Sequence, residues 1–329
     1  MFSQGPKGIL LLFEWIYMEL PPLSSTIHAW LERALSIPDT GADDERSAAR
    51  KHSDALFAEF GAYDASVSIR KTHFVSVEGR QLRIDEYRPR GREHEVLPAF
   101  LSLHGGAFRL GHPDELVNVA LCAHRAADAG YAVFSLEYRL APEAPFPAAY
   151  NDAVTALSWL MNYAKALKID ASSVVVGGVS AGGNLAAGLS LHARDNNVAL
   201  AGQILEVPAL DLRDDGLWAA NYAELNGFST LSNLRGAYAS AREAETPSLS
   251  PLLADLKGLA PTHVMIAEYD PLRPGAELFV ERLRASANVA TATLHLGELH
   301  ASHGLLRDSR AARLWHAEVV AVLRELASR

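Results

Sequence analysis

The chain has 329 residues, 49% of them hydrophobic and 21% charged, so it can bury a sizeable core and is not globally disordered. Its 39 acidic and 30 basic side chains leave a formal charge of -9, which repels phosphate backbones; with no Lys/Arg cluster to offset it, nucleic acid is not an expected partner. Cys122 is the only cysteine, which rules out an internal disulfide and Cys-based metal sites and suits a reducing cytoplasm.

In chain order, the apolar runs Ile9 to Phe13 and Trp15 to Met18 are separated by Glu14 and are too short to span a bilayer. Residues 1–22 therefore read as an N-terminal extension, and no membrane association is expected. Ile27, Trp30, Leu31 and Leu35 recur at helical spacing, and Leu56, Phe57 and Phe60 resume it after a break at Pro38 to Gly41, which predicts two short helices over 24–60. From His73 the period changes to alternation, in Phe74 to Val77 and Leu82 to Tyr87 around Glu78-Gly79-Arg80, which predicts a hairpin.

Six short apolar runs follow: Ala99 to Leu103, Ala132 to Leu136, Val174 to Val176, Ile204 to Val207, Thr262 to Ala267 and Thr291 to His295. Helical stretches lie among them at Asp114 to Ala129, Ala148 to Ala166, Gly182 to Arg194 and Gly275 to Ala287, and a last helix carries Trp315, Val319, Val322 and Leu326 on one face. Continuous apolar strands alternating with helices predict an α/β fold, a mostly parallel sheet covered on both faces. The stretch Leu212 to Ser248 breaks this rhythm and reads as an insertion able to form a lid.

The chemistry concentrates at Gly178-Val179-Ser180-Ala181-Gly182, where a β-branched run breaks at glycines and turns into an Ala/Leu-rich helix. A serine on such a strand-to-helix corner projects its hydroxyl from the end of the sheet, and the glycines let neighbouring backbone pass close by. Ser180 needs a base, because a serine hydroxyl is too weak an acid to attack at neutral pH. Asp270 and His300 follow late strands in the order expected for an acid and a histidine, at the strand C-terminal ends where open α/β sheets bind ligands. A second signal is Leu103-His104-Gly105-Gly106-Ala107, a strand running into glycines. The N–H groups of Gly105 and Gly106, with that of Ala181, would form an oxyanion hole, in which each lost donor typically costs about 10² to 10³ in rate.

These residues resemble the hormone-sensitive-lipase-like branch of the α/β-hydrolases, the bacterial family IV esterases, over roughly residues 24 to 329. The family's H-G-G-G is matched by His104 to Ala107, its Y-R-L-A-P-E by Tyr138 to Glu143 and its G-x-S-A-G-G by Gly178 to Gly183. Ser250 to Leu252 and Asp270 to Leu272 match its Ser-Pro-Leu and Asp-Pro-Leu. The resemblance implies Ser180 as nucleophile, Asp270 as acid and a histidine about thirty residues further on. Gly297-Glu298-Leu299-His300 fits the lead-in and spacing, whereas His303-Gly304-Leu305 is closer in letters; His300 is favoured and His303 stays as the rival. Two departures stand out: Val179 replaces the usual acidic residue or threonine before the serine, and Ala107 replaces the third glycine.

The resemblance implies a serine carboxylesterase for small-molecule esters of short to medium acyl chain, needing no cofactor. It also implies a helical cap from 23–62 and 212–248, a catalytic domain from 63–211 and 249–329, and an edge-strand homodimer as one possibility. Rival readings on the same triad are an amide or carbamate hydrolase or an acyltransferase, and, in another class, a non-catalytic small-molecule receptor. A metal site at His300 and His303 lacks a third ligand. His104 is expected to fix the oxyanion loop by a side-chain hydrogen bond. Trp30, Trp218, Tyr222 and Phe228 could line an acyl pocket or form the core of the cap.

Overall fold

The computed structural model describes residues 23–36, 45–61, 67–77, 79–226, 230–300 and 302–328. Expectations for residues 1–22, for Glu78 of the hairpin turn and for Phe228 fall outside them. The strands are β1 (Ser68–Val77), β2 (Arg80–Pro89), β3 (Leu97–Leu103), β4 (Ala132–Leu136), β5 (Ile169–Val179), β6 (Gly202–Glu206), β7 (Thr262–Tyr269) and β8 (Ala290–Leu299). They form one sheet in the order β1-β2-β4-β3-β5-β6-β7-β8, antiparallel at β1–β2 and β2–β4 and parallel elsewhere. The helices are α1 (Ser25–Ser36), α2 (Glu45–Phe60), α3 (Leu116–Ala129), α4 (Ala148–Tyr163), α5 (Ala181–Asp195), α6 (Leu231–Arg235), α7 (Arg273–Ala285) and α8 (Arg310–Ala327).

The sheet is apolar on both faces, which is why its central strands read as unbroken hydrophobic runs. Val174 and Val176 of β5, with Leu101, Leu205 and Val264, pack against Leu157 of α4, Leu185 of α5 and Phe279 of α7. Val175, one residue out of phase, joins Phe100, Val133, Ile204 and Met265 against Val119 of α3 and Trp315 and Val319 of α8. Each such side chain contributes roughly 1.5–3 kcal/mol by leaving water.

Several strands run longer than their apolar runs suggest. Polar Asp170 to Ser173 belong to β5, and β7 and β8 extend to Tyr269 and Leu299, so Asp270 and His300 directly follow their strands. Helix α7 starts at Arg273 and carries Pro274 in its first turn, where a missing N–H costs nothing.

Helices α1 and α2 and the 212–248 insertion lie over the C-terminal ends of the strands. Leu23, Ile27 and Phe60 bury themselves with Tyr269, Leu299, Leu305 and Leu306, that is, with the loops carrying Asp270 and His300. Asp54 of α2 accepts the Leu116 N–H at 2.8 Å and so caps α3 from outside, since Glu115 at the α3 N-cap makes no side-chain cap of its own. The insertion is built of short turns of 3₁₀-helix at Ala220–Tyr222, Glu224–Asn226 and Glu243–Glu245, with α6 among them. Its Tyr238 ring is fully buried and stacks on Phe108 at 4.1 Å, anchoring the insertion to the loop after β3.

Candidate active site

Ser180 sits between β5 and α5 with φ +57° and ψ −115°, a left-handed conformation that strains any residue with a Cβ. The surroundings hold it there. Its N–H donates to the Glu206 carbonyl at 2.8 Å, and its carbonyl accepts from Asn184 at 3.0 Å and Ala209 at 3.3 Å. The Asn184 carboxamide in turn donates to the Ala209 and Leu249 carbonyls at 2.6 and 2.7 Å. The glycines are dictated by close backbone approach: a Cβ on Gly178 would lie 2.4 Å from the Leu103 carbonyl oxygen, and one on Gly182 2.0 Å from it. The end of β3 therefore crosses directly over the corner.

The loop after β3 continues over the serine. A Cβ on Gly105 would lie 3.5 Å from that of Ser180, so this backbone borders the hydroxyl. Gly106 has φ +122°, and Ala107 and Phe108 follow at +51° and +60°. Ala107 thus adopts the conformation that a third glycine would accept without strain, at a cost of about 1–2 kcal/mol. His104 supports the loop from behind: its Nδ1–H donates to the Gly105 carbonyl at 2.8 Å, the Tyr138 hydroxyl donates to the His104 carbonyl at 2.7 Å, and the two rings stack at 4.2 Å. Burial holds the His104 imidazole at a pKa of about 4, so it stays neutral and acts through this hydrogen bond.

Asp270 and His300 converge on the serine. The Asp270 carboxylate, 1% exposed, divides its work: Oδ1 accepts the Leu272 N–H at 2.8 Å, and Oδ2 lies 2.8 Å from His300 Nδ1. A carboxylate only accepts, so Nδ1 carries a proton; in the neutral imidazole this leaves the Nε2 lone pair for the Ser180 hydroxyl, whose Oγ is 2.8 Å away. All three side chains are buried, which strengthens each of these interactions relative to water.

His303, the rival, lies elsewhere. Its ring stacks on Trp315 at 5.4 Å, it makes no hydrogen bond with Ser180, and burial brings its pKa down to about 4. Beside it is a group that sequence reasoning missed. Glu206, fully buried, pairs with Val179 across β5 and β6 and accepts hydrogen bonds from Arg125 and Trp315, both at 2.8 Å. Burial alone would raise its carboxyl, but the Arg125 charge and the Trp315 N–H outweigh that and hold it below its ordinary range. An acidic side chain does lie beside the corner, one strand over from where the serine motif usually carries it. Only Glu206 inside the apolar run Ile204 to Val207 hinted at this.

Residues 100–304 match a family of the α/β-hydrolase fold. The chain is 34% identical over 292 residues to the carboxylic ester hydrolase LipN of Mycobacterium tuberculosis, covering 83% of this chain and 74% of that one. The chain belongs to the hormone-sensitive-lipase-like α/β-hydrolases. An arylesterase of Saccharolobus solfataricus is 35% identical over 72% of this chain and 78% of its own. A hyperthermophilic esterase from the archaeon Pyrobaculum calidifontis superposes with a TM-score of 0.81 at 30% identity, over 93% of this chain and 99% of that one. The protein is thus an enzyme of the serine carboxylic-ester hydrolases.

Of the remaining sequence candidates, Trp30 and Tyr222 pack on the cluster formed by α1, α2 and the Asp270 and His300 loops, and Trp218 packs on the main core. Arg139 and Glu143 bond with Asp152 and with Arg46 of α2, fastening the corner around Tyr138. Cys122 is buried. Among the described residues, no helix is long and apolar enough to cross a membrane.

Proposed function

We propose that this protein is a carboxylesterase that hydrolyses short- to medium-chain acyl esters through an acyl-enzyme, with Ser180 as nucleophile, His300 as base and Asp270 as acid. The observation that carries the reading is the row Ser180 Oγ, His300 Nε2, His300 Nδ1 and Asp270 Oδ2, joined by two contacts of 2.8 Å. His300 takes the hydroxyl proton as Ser180 attacks the ester carbonyl, and Asp270 stabilises the imidazolium that forms. The main-chain N–H groups of Gly105, Gly106 and Ala181 stabilise the oxyanion. His300 then gives its proton to the leaving alcohol; water, activated by the same imidazole, releases the acid and restores the serine.

Residues 23–62 and 212–248 act as the cap and set the acyl length. A small substrate is supported by a relative from Pseudomonas putida, 33% identical over 73% of this chain, which is named an ethyl acetate hydrolase. The single buried thiol fits the cytoplasm as the place of work.

The test is hydrolysis of p-nitrophenyl esters from acetate to palmitate, with fluorophosphonate labelling of the serine. Ser180→Ala should lose label and all but a trace of activity; substantial residual turnover in that variant refutes the mechanism. The chain-length profile should fall off beyond medium acyl chains, and a maximum at palmitate refutes the substrate assignment.

A further inference from the structure

Strands β7 and β8 are paired as far as Tyr269 and Leu299, after an irregularity between Ala267 and Tyr269. The next residue on each strand is a member of the proposed triad, and there the ladder has ended. The Asp270–His300 hydrogen bond nevertheless requires the two main chains to keep a fixed separation. A side chain from the insertion occupies this place. Asn226 Oδ1 accepts the His300 N–H at 2.8 Å, while Asn226 Nδ2 donates to the Tyr269 carbonyl at 2.7 Å and to the Tyr222 carbonyl at 2.7 Å.

We infer that Asn226 is a positioning residue for the reaction: its carboxamide serves as the missing rung between the acid and histidine loops and fastens both to the insertion. This rests on the triad reading given above. A carboxamide is suited to the task because one planar group carries both an acceptor, for the His300 N–H, and a donor, for the Tyr269 carbonyl. The third bond, to Tyr222, together with the Tyr222–Tyr269 ring contact at 5.5 Å, means that a shift of the insertion is transmitted to the histidine main chain. The insertion then does more than shape the pocket: its seating decides whether His300 Nε2 reaches Ser180.

Asn226→Ala removes both halves of the rung. A displacement approaching 1 Å at reacting groups costs on the order of 10²-fold in rate, so kcat should fall about 10- to 100-fold. KM should stay within about 3-fold, because Asn226 is not assigned a contact with substrate. Fluorophosphonate labelling should slow by the same factor as kcat, while the denaturation midpoint stays near that of the parent. Asn226→Asp keeps an acceptor for the His300 N–H but places a negative charge near the imidazole. The acid limb of kcat/KM should therefore move to higher pH, which a purely structural substitution would not produce.

The inference is overturned by an Asn226→Ala enzyme with kcat within 2-fold of the parent, by a loss confined to KM, or by a loss that merely tracks unfolding. A folded Asn226→Asp enzyme with an unmoved acid limb also overturns it. Ser180→Ala and His300→Gln, measured alongside, separate the two levels. If they retain turnover the triad reading fails; if they lose it while Asn226→Ala does not, only the positioning role fails.

Discussion

The two histidines after β8 give opposite expectations from nearly identical sequence positions. His300→Gln removes the imidazole hydrogen-bonded to the Ser180 hydroxyl and leaves Asp270 facing a group that cannot take a proton. Losing the base of such a unit costs on the order of 10⁴ to 10⁶ in kcat. At about 1.36 kcal/mol per tenfold, that is roughly 5–8 kcal/mol of transition-state stabilisation. His303→Phe instead keeps a ring against Trp315 and removes a group that burial already holds neutral. An aromatic pair of this kind is worth about 0.5–1.5 kcal/mol. Its loss or change should appear in the denaturation midpoint, with kcat/KM within about 10-fold of the parent. The assay is initial-rate hydrolysis of a p-nitrophenyl ester by both variants, with urea unfolding to establish that each is folded. A folded His303→Phe enzyme without activity, beside a His300→Gln enzyme that keeps it, would refute the assignment.

Two further expectations concern stability. His104 and His303 are both held at a pKa of about 4, against an ordinary 6.5, by burial, so the folded protein binds fewer protons than the unfolded chain between those values. Stability is therefore complete above pH 6.5 and falls as pH drops toward 4, by up to roughly 3 kcal/mol for each imidazole. Urea midpoints at pH 7, 6 and 5 should show this decline, and His303→Phe should flatten it; an unchanged slope counts against the burial argument. Glu206→Ala leaves Arg125, 2% exposed, as a buried and uncompensated charge, which should cost about 3–5 kcal/mol. Replacing both, as Glu206→Leu with Arg125→Met, should recover most of that loss in equilibrium unfolding; a double variant no more stable than the single one contradicts the ion-pair account.

The α/β architecture was legible because its signals are local. Strands buried on both faces must be apolar throughout, and helices on a parallel sheet carry one apolar face, so the alternation of the two is visible residue by residue. The same holds for the corner at Ser180: Gly178 and Gly182 are there because the Leu103 carbonyl passes within 2.4 and 2.0 Å of where a Cβ would stand. What sequence reasoning placed less well were boundaries. The start of β5 is set by the pairing of Ile169 with Leu97, ahead of a register shift that leaves Asp170 to Ser173 without a rung to β3, and the end of β8 by the pairing of Leu299 with Tyr269; no composition rule reveals either.

The sequence by itself determined the sheet, the turn bearing Ser180 and the strand ends bearing Asp270 and His300, since each depends on a short run of side chains. Only the tertiary structure separates the surroundings of His300 and His303, because two imidazoles three residues apart share the same local context and differ in whether Ser180 or Trp315 faces them. It alone brought out Glu206 with Arg125, and Asn226 between Tyr269 and His300. Those groups act through partners 43 to 81 positions away. A hydrogen bond across such a separation is fixed by the packing of the sheet and the layer above it, and leaves no periodicity in the chain to read.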